Sequence, residues 1–201
     1  MQLSNFQENA AAGGIPATIH LMPLDAYPGE TGASGTALAA ARTSMAMTTS
    51  GSARQNSAQV EITANATGTA RFVGAWDAAS AGNFIGYAPL GTGQPQAFTL
   101  VDTTNDDFVS PGHGFVAGDE VYFLTEPSGK ALPTGVTEGT VYYVIATGLA
   151  TNSFRVSATL GGSSIAVTAV GSGLVTKISP QNVVSGNILR FAAGALTFTF
   201  F

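Results

Sequence analysis

The sequence predicts an all-β protein: an antiparallel β-sandwich or barrel outer domain interrupted by an inserted small β-barrel domain. Two observations carry this. Short runs rich in Val, Ile, Tyr, Phe and Thr recur along the chain, separated by clusters of Gly, Pro, Asn and Ser. The stretch 76–90, WDAASAGNFIGYAPL, finds its natural continuation in 179–201, SPQNVVSGNILRFAAGALTFTFF, and not in what directly follows it. The interval between has strand grammar of its own and no helical periodicity over the usual ~11 residues.

The elements follow in order. Residues 1–16, MQLSNFQENAAAGGIP, form an arm or a short helix, with Ser4 as its cap and Gln7 as the partner in a capping box. Gly13, Gly14 and Pro16 stop it. Ala17–Met22 is a strand, 23–36 (PLDAYPGETGASGT) a loop, and 37–43 (ALAAART) a short helix or a strand of small residues. Arg54–Ala64 alternates loosely, with Val60 and Ile62 on one face. Gly68–Trp76 alternates better, with Ala70, Phe72, Gly74 and Trp76 on one face. DAASAGN is a turn in which Gly82-Asn83 supplies positive φ, and FIGYAPL is the returning strand.

The inserted domain spans 96–177, leaving 1–95 with 178–201 as the outer one. Its strands are QAFTLVD, GDEVYFL, GTVYYVIAT, SFRVSAT, SSIAVTAV and GLVTKI. Turns EPSGKALPTG, GLATN and LGG divide them, as in a small barrel. The flanks GTGQPQ and KISPQN are turn-like, and such sites accept whole domains when the insert's two ends lie close together. After the insert, Ile188–Phe191 and Leu196–Phe201 read as two antiparallel strands about a turn at Ala192–Gly194.

Composition bounds the function. Apolar residues make up 45% of the 201 and mean hydropathy is +0.25, enough for a dry core. Charged residues are only 9%, about a third of the usual share. A surface so poor in charge suits close packing in an assembly. The net charge of −5 and the seven scattered basic residues leave no footprint for nucleic acid. There are no cysteines, so neither disulfides nor thiolate metal sites arise. No run approaches the ~18 apolar residues of a membrane span. The start, MQLSNFQENA, lacks the basic and apolar regions of a signal peptide.

Four stretches of the outer pieces carry a resemblance: LSNFQENAA, ATIHLMPLDAYPGETGASGT, FVGAWDAASAGNFIGYAPL and VVSGNILRFAAGALTFTF. Together they resemble a family of short phage virion proteins, often labelled tail fibre proteins, some of which decorate capsids. In the usual member the last two motifs are separated only by a short link; here the insert stands between them. The insert's own HGFVAGD turn, LPTGVTEGTVYYV run and NSFRVS strand resemble a small β module recurrent in phage tail and capsid-associated proteins. That module is sometimes likened in fold alone to a small barrel of ubiquitin-activating enzymes.

The resemblance implies a capsid decoration, or cement, protein on the head surface of a bacteriophage virion. Its partner would be the major capsid protein, its assembly a homotrimer, and it would be no enzyme. A tail fibre or baseplate protein contacting a host receptor is the alternative.

Candidate chemistry is sparse. Ser110, His113 and Asp119 have the types of a nucleophile set, but SPGHG reads as a turn. His20 lies between inward Ile19 and Leu21 and so faces outward. Asp102, Asn105, Asp106 and Asp107 supply hard oxygens, without the EF-hand spacing or its closing Glu. PSGKAL lacks the rest of a P-loop. Trp76 and Tyr87 read as packing residues, and Tyr122, Tyr142 and Tyr143 are candidates for host-glycan contact. No catalytic, cofactor-binding or metal residue is assigned, and no cofactor is expected.

Overall fold

The computed structural model describes residues 2–3, 16–50, 53–91, 95–126 and 130–199; at 2–3, 49–50, 53–54, 100–102 and 197–199 it describes the backbone alone. The predicted helix with its Ser4 cap, the arm residues 10–14, the first half of PSGKAL and the last two phenylalanines lie outside the described residues. The fold is all-β, and every strand pair is antiparallel. The chain divides into two compact units, Met1–Leu90 with Pro180–Phe201, and Gly91–Ser179.

The strands of the first unit are β1 (Gln2–Leu3), β2 (Thr18–Leu24), β3 (Thr43–Ser50), β4 (Ala53–Asn56), β5 (Val60–Thr63), β6 (Gly68–Ala70), β7 (Phe72–Trp76) and β8 (Phe84–Pro89). Those of the second are β9 (Gln96–Asp102), β10 (Asp107–Val109), β11 (Glu120–Leu124), β12 (Val141–Ile145), β13 (Ser153–Ser157) and β14 (Gly171–Ile178). The chain then returns to the first with β15 (Gln181–Val183), β16 (Ile188–Phe191) and β17 (Thr197–Thr199).

In the first unit a seven-stranded sheet has the order β1-β8-β7-β2-β3-β4-β17. Gln2–Leu3, expected in an arm or helix, is instead a strand on β8. The second layer is a ribbon. β5 pairs with β16 and β6 with β15, and the offset between partners is the same in both: Val60 faces Phe191, Thr63 faces Ile188, and Gly68 faces Val183. The ribbon is therefore one ladder interrupted near Ala64, where Ala64 N–H donates to Asn187 O and Gly186 N–H to Ala64 O, both at 2.8 Å. Ile19, Leu21, Met45, Val73, Ala75 and Ile85 of the sheet meet Val60, Ile62, Ala70, Val183 and Leu189 of the ribbon in one core.

The expected single strand Gly68–Trp76 is two. It bends at Arg71, whose N–H donates to Leu24 O (2.9 Å) and whose carbonyl accepts from Leu90 N–H (2.7 Å). β6 thus stays in the ribbon while β7 joins the sheet between β2 and β8. Residues 37–42 are neither helix nor strand, their ladder contacts being isolated bridges, Leu24 with Ala37 and Ala39 with Ala64, and Thr43 already begins β3. The last two strands do not pair with each other: β16 goes to β5 and β17 to β4. The chain crosses between layers at the turn 192–195, so each half finds a different partner.

Phe72, Gly74 and Trp76 of β7 line up with Tyr87 and Phe84 of β8. Loop 25–36 carries Tyr27 onto this aromatic row, 4.9 Å from the Tyr87 ring. Asp25 closes the loop, accepting from Thr36 N–H through Oδ1 at 2.6 Å. Gly32 is obligatory there: its φ is +70°, and a Cβ would stand 2.4 Å from a Phe84 ring carbon.

The second unit is a closed six-stranded barrel, β10-β13-β12-β11-β14-β9, with β9 returning to β10. Alternate inward residues fill it, Phe98, Phe108, Phe123, Phe154 and Val175 among them. Phe108 stacks on Phe154 at 5.4 Å and meets Phe98 edge-on at 5.5 Å. Residues 163–170, expected as a strand, join no ladder, because the ring is already closed without them. They are held by single bonds, such as Ile165 N–H to Val156 O and Val167 N–H to Asp106 Oδ1. The barrel's two ends do lie together: a Cβ on Gly91 would sit 2.7 Å from Lys177 O.

Candidate functional site

The sequence-derived candidates are each committed elsewhere. Ser110 is buried and its hydroxyl donates to Ala97 O at 2.9 Å. His113, also buried, accepts Phe115 N–H on Nδ1 (2.9 Å), so its proton sits on Nε2, which donates to Ala150 O at 2.9 Å. Asp119 accepts from Val116 N–H at 2.9 Å and pairs with Lys177 at 2.7 Å. The three pin the 110–119 turn to the barrel wall and form no relay. His20 is half-buried in β2, in register with Trp76 and Ser44, and no hydrogen-bond partner to its Nδ1 is present.

The acidic turn is likewise dispersed. Asp107 binds Arg155 Nε at 2.6 Å, while Asp106, at φ +60°, accepts from Val167 N–H at 2.8 Å. Among the described residues no group of three or more His, Asp or Glu is placed to hold a metal ion. Nor is any helix among them long and apolar enough to cross a membrane. Trp76 and Tyr87 are buried, as are Tyr122 and Tyr142; Tyr143 is the half-buried member of the glycan candidates.

The structure builds three features that the sequence did not point out. The first closes the DAASAGN turn. Arg42 lays its guanidinium over the Trp76 ring, 4.2 Å from the centroid, and donates to the carbonyls of Ala78 (2.9 Å) and Ala81. Burial lowers the pKa of this guanidinium from its ordinary value, with nearby Asp77 opposing the shift. Positive φ falls on Ala81 (51°) and Gly82 (74°), not on Gly82-Asn83. Asn83 is held otherwise: its N–H and Nδ2 both donate to the Asp77 carboxylate, at 2.7 and 2.8 Å.

The second is Asn56, 1% exposed at the end of β4. Its Nδ2 donates to Ala58 O (2.8 Å) and Ala192 O (2.7 Å), and its Oδ1 accepts from Leu196 N–H (3.0 Å). One side chain thereby fixes the crossing between β16 and β17.

The third is the outer edge of the ribbon. Strand β16 has β5 on one side and, among the described residues, no strand on the other. A cleft of about 260 Å³ runs beside β15 and β16, floored by Leu90, Val183 and Leu189 and rimmed by Asn182, Asn187 and Arg190. Ile188 stands exposed on it, at 41%. Such a surface can receive an extended backbone and one or two apolar side chains; it holds no group for bond-making chemistry.

No family model, no curated protein and no solved structure matches this chain.

Proposed function

We propose that the protein is a structural component of a phage virion, a decoration or cement protein that binds the outer surface of the head through the major capsid protein. One observation carries this: the resembling stretches 17–36, 72–90 and 183–199 belong to one compact unit, and the inserted barrel is another. Within the first unit they support one another. Loop 25–36 lies on the aromatic row of the β7–β8 hairpin, and 181–191 completes the ribbon. The unit is the anchor of this proposal and the barrel its outward projection.

Low charge supports the same reading, because a chain with only 9% charged residues has few charges to keep its surface solvated and gains by being covered. Binding to assembled shells alone would stabilise them by mass action.

The test is immunogold labelling of intact particles with antibody raised against residues 91–179, paired with heat challenge of heads with and without the protein. Gold over the whole head, and heads that rupture at lower temperature when the protein is missing, are expected. Gold confined to the tail or its tip overturns the cement proposal and favours contact with a host receptor.

A further inference from the structure

The connection 110–119 is a lid on one end of the barrel. It joins β10 to β11, which are not neighbours in the ring, so it passes the ends of β13 and β12 on its way. It is tied down at both: Ser110 N–H donates to Asn152 O just before β13, and Gly118 N–H to Val144 O of β12. Phe115, 8% exposed, reaches from it into the barrel core, its ring 5.1 Å from that of Phe154. Between the two ties lies Gly112-His113-Gly114. Both glycines have positive φ, 66° and 68°, and a Cβ on either would find no heavy atom within 4 Å. The backbone on either side of His113 is therefore not wedged in place by packing there, and the imidazole ring is what fastens the middle of the lid.

That ring fits its site only while neutral. Nδ1 accepts Phe115 N–H at 2.9 Å, and Nε2 faces two carbonyls, Ala150 O at 2.9 Å and Ser153 O at 3.2 Å. The one proton of the neutral ring, on Nε2, satisfies all three contacts. A second proton has a single place to go, Nδ1, where it meets Phe115 N–H head-on. His113 is 6% exposed, so little water reaches the clash to relieve it. The rings of Phe115 and Phe154, at 4.8 and 5.2 Å, favour a cation, but Phe115 keeps its stack only by keeping the N–H that the new proton repels. Charges on the surrounding elements are engaged with one another. Arg155 of β13 pairs with Asp107 of β10 at 2.6 Å, and Asp119 of the lid with Lys177 of β14 at 2.7 Å. Glu120 of β11 is in register with Tyr143, on the face opposite to buried Val121, and segment 146–152 has no charged residue.

We propose that His113 is a pH-operated latch: proton uptake by its ring releases the 112–118 lid and bares Phe115 and Phe154 at that end of the barrel. The hold is present while the ring is neutral and is lost as pH falls. The latch belongs to the barrel alone and does not rest on the virion proposal.

NMR of the full chain between about pH 8 and about pH 5 tests it, following the His113 ring nitrogens together with the amide exchange of Phe115. At the upper end the ring is expected as the Nε2–H tautomer. On acidification, proton uptake on Nδ1 and a loss of Phe115 protection of about tenfold or more, relative to the free-peptide rate at the same pH, are expected to share one midpoint. The other histidine, His20, lies in the first unit and is followed separately. His113→Asn keeps an oxygen for the N–H two residues on, as in an Asx turn, and has no proton to gain, so its Phe115 protection is expected to stay level across the range. Should that variant fold poorly, the wild-type titration decides alone. The latch is overturned by an Nδ1–H tautomer at neutral pH, by a ring that takes its proton while Phe115 stays protected, or by a ring that takes none before the barrel unfolds. A folded His113→Asn whose lid opens over the same range also overturns it, and passes the control to Asp119.

Discussion

Replacing Asn56 by Ala should cost the first unit about 3 kcal/mol. The side chain makes three hydrogen bonds, to Ala58 O, Ala192 O and Leu196 N–H, from a position 1% exposed. Each such bond contributes about 1 kcal/mol net. Leaving a buried partner unsatisfied would raise the figure, but Ala58 and Ala192 are exposed, so water can take over their carbonyls. The loss therefore stays near the sum of the bonds plus a small void, in the range of about 2–4 kcal/mol. Urea unfolding measures it cleanly. The chain has one tryptophan, Trp76, and it lies in this unit, so its fluorescence follows the sandwich and not the barrel. With a urea dependence of about 1.5 kcal/mol per molar, the midpoint should fall by roughly 2 M.

Asn56→Asp sharpens the test. It keeps the acceptor for Leu196 N–H but turns an oxygen toward two carbonyls. The introduced carboxyl has its folded pKa raised above the unfolded value, so its penalty is full at neutral pH. Stability should recover as pH falls through that raised value. A midpoint shift below about 0.5 M for Asn56→Ala, or an Asp variant indifferent to pH, would refute the claim that this amide holds the crossing.

Other outcomes follow from the same geometry. Gly32→Ala forces a Cβ against Phe84 at a positive φ and should destabilise the first unit by about 2 kcal/mol or more, read by the same fluorescence melt. Arg42→Lys keeps the charge but loses the planar stack on Trp76 and the fork to two carbonyls; a loss of about 1–2 kcal/mol and a shifted emission maximum are expected. His113→Ala removes the link between Phe115 N–H and Ala150 O, and should lower the barrel's melting temperature in near-ultraviolet tyrosine dichroism while leaving the Trp76 transition unmoved. Arg190 holds the Glu61 carboxyl below its ordinary pKa, by hydrogen bond first and then by charge. The stability this pair adds is present above the unfolded carboxylate value and lost as pH falls through the lowered one. In a carbon-detected titration Arg190→Ala should return Glu61 to the usual range.

Much of the fold was legible because local and global preferences agree. The β7–β8 hairpin shows alternating apolar residues on either side of a Gly-containing turn, and the barrel strands β11, β12 and β13 are dense in β-branched and aromatic residues. β3, TSMAMTTS, was missed, since Thr, Ser, Ala and Met give little contrast between faces even though Met45 is buried in the core. Residues 163–170 have strand composition but no free edge to join, and whether an edge is free is decided by the closed ring. The pairing of β16 with β5, and of β17 with β4, is a choice between partners distant in sequence that no local signal records.

The candidate surface was less legible than the fold. Asn56 and Arg42 are single polar residues that hydrogen-bond to backbone groups, and backbone groups carry no letter in a sequence. That β16 has, among the described residues, no strand on its second side depends on how the ribbon ends, which no residue of the strand records.

The interrupted ribbon sets the order in which the ladders can close. Every strand of the barrel lies between Gln96 and Ile178, so that unit closes on contacts within its own stretch, while the sandwich is complete only when β15, β16 and β17 join it from beyond the barrel. Until then β5 and β6 have no ladder partner, and Asn56 has neither Ala192 nor Leu196 to bind. The sandwich is a lock whose bolt arrives last, and the barrel, already folded, holds the two ends of the bolt's path together while it slides in. Loop closure across the interruption is then set by the short distance between the barrel's own ends, and no longer by the length of chain inside it.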